Sequence, residues 1–127
     1  MPIHALIIDD DSFNLEVLGR MLANEGAAYT TVQDPTNITA TLNNLKQVDV
    51  VFLDLEMPKM DGYKAFKLLQ SKLGSGVPII ACTVHSNEIE TARSLGFAGF
   101  LGKPLDRDRF ANQFKRIKNN QPVWEAE

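Results

Sequence analysis

The sequence predicts an α/β domain: a five-stranded parallel sheet with helices on both faces. Three observations lead there. The runs Ala5-Leu6-Ile7-Ile8, Val50-Val51-Phe52-Leu53 and Val77 to Thr83 are strand-sized and near-continuously apolar, as strands buried on both faces are. Between them lie stretches whose apolar residues recur at helical spacing. The alternation of strand and helix repeats five times, and right-handed crossovers then make the strands parallel and cover both faces.

Taken in order, residues 3–9 form the first strand. Residues 12–25 place Leu15, Leu18 and Leu22 on one helical stripe, with Asp11 or Ser12 as cap and Gly26 as terminator. Ala28 to Val32 is a short second strand. Asp34-Pro35-Thr36 opens a helix carrying Ile38, Leu42 and Leu45. The third strand runs from Val48 to Leu53, and the third helix starts near Asp61 with Tyr63, Phe66, Leu69 and Leu73 facing inward. Gly74-Ser75-Gly76 is a flexible connector. In the fourth strand, Val77 to Thr83, Pro78 is tolerable only near the start. Ser86 caps a short helix that Gly96 closes. Ala98 to Leu101 is the fifth strand, and the last helix begins near Asp106 with Phe110, Phe114 and Ile117 inward. Residues 1–120 read as one domain and 121–127 as a short polar tail, frayed from Asn119 onward. Trp124 has no assigned role and is expected to be disordered or to pack opportunistically.

Bulk properties narrow the class. A chain of 127 residues, 44% hydrophobic and 23% charged, is sized for one well-filled core. Its apolar runs fall far short of the ~18 residues of a membrane span. Met1-Pro2-Ile3-His4 lacks the basic and apolar regions of a secretory signal. The single cysteine, Cys82, rules out an internal disulfide framework and suits a reducing cytoplasm. A net charge of -3 argues against a nucleic-acid surface, which calls for a basic stripe.

Function is carried by the residues at the strand ends. In an open parallel sheet the ligand crevice lies at the carboxyl ends of the strands. Asp9, Asp10, Asp54, Thr83 and Lys103 all fall there. Carboxylates crowded in one crevice repel unless a cation joins them, and oxygen ligands suit Mg²⁺. A carboxylate such as Asp54 can attack phosphorus to form an acyl phosphate. Lys103 offers a compact positive charge and Thr83 a hydroxyl donor for phosphoryl oxygens. Plainer roles fit other residues. Asp11 and Asp61-Gly62 read as cap and turn, His85 as a solvated loop residue, and Cys82, Phe66, Phe110 and Phe114 as core. Lys115, Arg116 and Lys118 read as a solvated helix face.

These segments together resemble the response-regulator receiver domain of two-component signalling. Leu6-Ile7-Ile8-Asp9-Asp10 is similar to the family's first strand and acidic pair. Asp54 to Gly62 resembles its phosphorylation loop almost letter for letter. Ile79-Ile80-Ala81-Cys82-Thr83 and Phe100-Leu101-Gly102-Lys103-Pro104 resemble the strands ending in its switch threonine and its lysine. The resemblance spans residues 3 to about 118 and implies a flavodoxin-like sheet of order 2-1-3-4-5. It further implies Asp54 as phosphoacceptor and a Mg²⁺ site from Asp10, Asp54, the Glu56 backbone carbonyl and, through water, Asp9. Thr83 and Phe100 would form the switch, the ring moving into space that the threonine vacates. Lys103 would pair with the phosphoryl group, and Lys103–Pro104 is a candidate cis bond. The implied partners are a histidine kinase or phosphotransfer protein and a downstream protein reading about residues 86–118, with homodimerisation possible and no nucleic acid or membrane bound.

Three positions depart from the usual pattern or tune it. Val84 stands where the family carries a small residue and is expected to narrow access to the acyl phosphate. Glu56 and His85, two residues past Asp54 and Thr83, are expected to tune the attacking water. Two other classes remain open: a small aspartyl-nucleophile phosphatase, and a pseudo-receiver that binds partners without phosphorylation. A stand-alone receiver and one domain of a longer chain are equally compatible with the sequence.

Overall fold

The computed structural model describes residues 3–125; the expected domain and tail extend to residues 1, 2, 126 and 127, which lie outside the described residues. The alternation holds throughout. The strands are β1 (His4–Ile8), β2 (Ala28–Val32), β3 (Val50–Asp54), β4 (Ile79–Thr83) and β5 (Gly99–Gly102). The helices between and after them are α1 (Ser12–Asn24), α2 (Ile38–Asn43), α3 (Gly62–Leu73), α4 (Ile89–Leu95) and α5 (Arg107–Lys118). Single 3₁₀ turns, Pro35–Asn37 and Ser86–Glu88, precede α2 and α4. The α1, α3 and α5 starts are capped by Asp11, Asp61 and Asp106, whose side chains accept backbone N–H bonds.

The expected order of the five strands holds, and one strand is added at the edge. The sheet has six strands, not five, in the order β2-β1-β3-β4-β5-β6, all parallel. The extra strand β6 (Val123–Glu125) lies in the segment expected to fray. Asn120 adopts the left-handed conformation after α5 (φ 59°) and helps turn the chain back along the sheet. Val123 is fully buried, and Trp124 packs on the core with Arg93 stacked over its ring at 4.7 Å. Glu125 accepts hydrogen bonds from Gln113 (2.7 Å) and Arg116 (2.6 Å), so Arg116 is a tail anchor and not part of a purely solvated face. A Cβ at Gly99 would lie 2.7 Å from the Val123 carbonyl oxygen, so only glycine lets β6 approach β5 this closely.

The core forms two layers. Leu6, Ile8, Val51, Leu53 and Phe100 face α2, α3 and α4, while Ala5, Ile7, Phe52, Cys82 and Leu101 face α1 and α5. This is the period-two alternation of strands covered on both sides. Register then sets the functional edge. Ile8 pairs with Leu53, Asp54 with Cys82, and Thr83 with Gly102. Asp9, Asp54, Thr83 and Lys103 therefore emerge side by side at the carboxyl end.

Candidate functional site

Strands β1 and β3 deliver the acids. Asp9, Asp10 and Asp54 each place a carboxylate oxygen within 4.8 Å of the others. Asp9 and Asp54 are both only 5% exposed. Asp9 Oδ1 accepts the Asp11 N–H at 2.9 Å, and Asp54 Oδ1 accepts the Glu56 N–H at 3.0 Å. The Gln33 side chain donates to the Asp10 carbonyl at 3.2 Å, tying the β2–α2 loop to the acidic pair. Gly62 supports the other side: a Cβ there would sit 2.5 Å from the Leu55 Cα, so only glycine lets α3 start tight against the Asp54 loop.

Lys103 supplies the counter-charge. Its Nζ lies 2.8 Å from Asp9 Oδ2 and 3.5 Å from Asp54 Oδ1. Burial opposes the ammonium, but the Asp9 hydrogen bond and both neighbouring carboxylates outweigh it and raise the Lys103 pKa. Lys103–Pro104 is cis, as expected. One ammonium cannot satisfy three carboxylates. Burial pushes Asp54 up to about 7, with Asp9 adding to the rise, although the Glu56 N–H and Lys103 pull the other way. The oxygen-only donor set and its surplus negative charge fit a hard divalent cation. Beneath the acids, burial raises the Cys82 thiol to about 12, which leaves it inert filling.

The fourth strand brings Thr83, 1% exposed, to the same edge. Its hydroxyl accepts the His85 N–H at 3.2 Å and donates to Glu88 Oε2 at 3.4 Å. Glu88 Oε1 in turn accepts the Tyr63 hydroxyl at 3.0 Å. Burial, then Glu88, pushes the Tyr63 hydroxyl up to about 12. His85 Nε2 meets Glu56 Oε1 at 2.8 Å, joining the two loops that flank Asp54. His85 is about half exposed, a solvated loop residue as expected, with Glu56 as its neighbour. Phe100 is fully buried, so its ring already occupies the interior. Val84 is 63% exposed and lines no part of the cavity beside Asp54.

That cavity, about 250 Å³, opens between α1 and the β5–α5 loop and is walled by Phe13, Asn14, Val17 and Leu105, with Asp54 and Lys103 at its floor. Phe13 stands 68% exposed at its mouth. Sequence reasoning did not single out Phe13, Gln33 or Glu88, and it placed Tyr63 only in the core. Periodicity reports which face a residue takes, and the partner of a half-buried polar tip lies outside its reach.

Comparison with known proteins agrees with this geometry. Residues 5–115 match the family described as response regulator receiver domain. The chain is 38% identical over 109 residues to the Escherichia coli transcriptional regulatory protein GlrR, covering 84% of this chain and 24% of GlrR. It is 32% identical over 119 residues to the chemotaxis protein CheY of Treponema pallidum, covering 91% of this chain and 83% of that protein. It thus spans about a quarter of GlrR and most of that CheY. Among solved structures, the Vibrio cholerae chemotaxis regulator CheY4 superposes with a TM-score of 0.80 at 21% identity, over 92% of this chain and 99% of that one, a likeness of fold. No helix among the described residues is long and apolar enough to cross a membrane. With its acidic edge, its lysine and its parallel sheet in the family's strand order, the chain belongs to the response-regulator receiver domains of two-component signalling.

Proposed function

We propose that this receiver domain accepts a phosphoryl group on Asp54 from the phosphohistidine of a kinase or phosphotransfer protein in the cytoplasm. The observation that supports this best is the setting of Asp54: buried, at the end of a central strand, with Asp9 and Asp10 beside it and Lys103 opposite. An Asp54 carboxylate oxygen attacks phosphorus, the P–N bond to the donor imidazole breaks, and the imidazole leaves with a proton taken up from its surroundings. Asp10 and Asp54, with the Glu56 backbone carbonyl and Asp9 through water, would hold Mg²⁺, which when bound offsets the charge of the acids and of the phosphoryl oxygens. Lys103 and the Thr83 hydroxyl meet the remaining phosphoryl oxygens. The cavity beside Phe13 leaves an open approach to Asp54.

Glu56 and His85, whose side chains meet at 2.8 Å, would tune water at the acyl phosphate. The surface of about residues 86–118 is read by a downstream protein. A phosphatase reading is weaker, because the residue two past Asp54 is Glu56, whose carboxylate is engaged by His85. A pseudo-receiver reading is disfavoured by the complete set Asp10, Asp54, Thr83 and Lys103.

Incubation with acetyl phosphate and Mg²⁺, with intact-mass spectrometry as readout, tests the proposal. Wild type should gain the mass of one phosphoryl group and Asp54→Ala none. A gain in the mutant, or none in wild type, contradicts it.

A further inference from the structure

We propose that Glu88, held in place by Tyr63, is a positioning residue that latches Thr83 in its resting state and sets how readily Asp54 is phosphorylated. The latch rests on the phosphoacceptor reading and adds residues that neither the motif nor the family resemblance assigns.

Proton count is decisive. A threonine hydroxyl carries a single O–H donor. In this structure the Thr83 hydroxyl accepts the His85 N–H and donates to Glu88 Oε2. At 3.4 Å this is a long hydrogen bond, and it aims the one proton at Glu88 and away from Asp54. To serve an oxygen on Asp54-bound phosphorus, Thr83 must first leave Glu88. Each such turn gives up the long bond to the Glu88 carboxylate for one to a phosphoryl oxygen, so Glu88 competes with the phosphoryl group for the same donor.

Tyr63 makes the competition effective. Glu88 sits on the short 3₁₀ turn before α4, where a free carboxylate would rotate to water. The Tyr63 hydroxyl, projecting from α3, donates to Glu88 Oε1 at 3.0 Å and keeps Oε2 turned towards Thr83. When Thr83 leaves, Glu88 keeps Tyr63 and is not stranded without a partner. Phe100 is already fully buried, so a ring held outside the core is not what restrains this site. The restraint on Thr83 is polar.

The test uses beryllofluoride with Mg²⁺ as the phosphoryl mimic, with affinity read from amide shifts in an NMR titration. Removing a long competing hydrogen bond predicts that Glu88→Ala binds the mimic roughly two- to threefold more tightly than wild type. Tyr63→Phe, which keeps the ring in place, should tighten it in the same direction by less. In Thr83→Ala the same Glu88→Ala change should have no effect, since no hydroxyl is left to release. Equal affinities in wild type, Glu88→Ala and Tyr63→Phe would overturn the latch. So would the same tightening in the Thr83→Ala protein, which would mark a general relief of negative charge. Failure of wild type itself to bind beryllofluoride would overturn the phosphoacceptor reading, and the latch with it.

Discussion

Two carboxylates in this chain each face basic side chains, with opposite electrostatic outcomes. Glu125, in β6, accepts from Gln113 and Arg116 and faces Arg109, and those partners hold its pKa below the usual range. Asp54 faces Lys103 at 3.5 Å, yet burial drives it up to about 7. The difference lies in charge balance and in access to water. At the tail, two guanidiniums meet one partly solvated carboxylate. At the carboxyl edge, three carboxylates in a largely buried crevice share one ammonium. The tail is a closed structural clasp. The edge carries surplus negative charge, of the kind that suits a hard divalent cation.

The largest expected effect separates the two regions by pH. Asp54 has a folded pKa of about 7 against an ordinary 3.8, so over that interval the folded chain holds a proton that the unfolded chain has released. Stability from this group is present below about pH 4 and lost as pH rises through about 7. In metal-free buffer at pH 8, Asp54→Asn should therefore be more stable than wild type, by roughly 1–4 kcal/mol. Denaturant melts at pH 5 and pH 8 check it; a mutant no more stable at pH 8 than at pH 5, relative to wild type, would break the contrast.

Next in size, Mg²⁺ should stabilise wild type at pH 8 and leave Asp54→Asn much less affected. Thermal melts with metal and with chelator read this directly. Equal stabilisation of both proteins would place the ion elsewhere.

Smaller effects belong to the tail. Trp124→Ala removes a half-buried ring and its stacking with Arg93, and should cost about 1–2 kcal/mol in denaturant melts. A loss near zero would mean that β6 is not docked in solution. Glu125→Gln keeps the shape but discharges the clasp, and should cost about 0.5–1 kcal/mol, less at high salt. Both losses should be indifferent to Mg²⁺, because this region is already balanced.

The same contrast explains how much the sequence disclosed. The acidic edge was legible because its residues come directly after long apolar strands, and strand ends in a parallel sheet have only one place to go. Asp9, Asp10, Asp54, Thr83 and Lys103 all met there. The tail was illegible because β6 is three residues long, too short for any periodicity, and comes after the polar stretch Asn119 to Pro122. Its traces were present but distributed: Val123-Trp124 as strand formers, and Arg109, Gln113 and Arg116 along one stripe of α5 opposite an acid. Glu88 escaped for a similar reason. A glutamate at the start of a helix reads as ordinary dipole chemistry until the fold brings Tyr63 and Thr83 to its two oxygens.

The most direct test of the central claim is an NMR titration of side-chain carboxyl carbons in the metal-free protein. Asp54 should titrate near pH 7 while Glu125 titrates below the ordinary glutamate range, and Mg²⁺ should draw the Asp54 midpoint down without moving Glu125. An Asp54 carboxyl that titrates with the surface carboxylates and ignores Mg²⁺ would contradict the account.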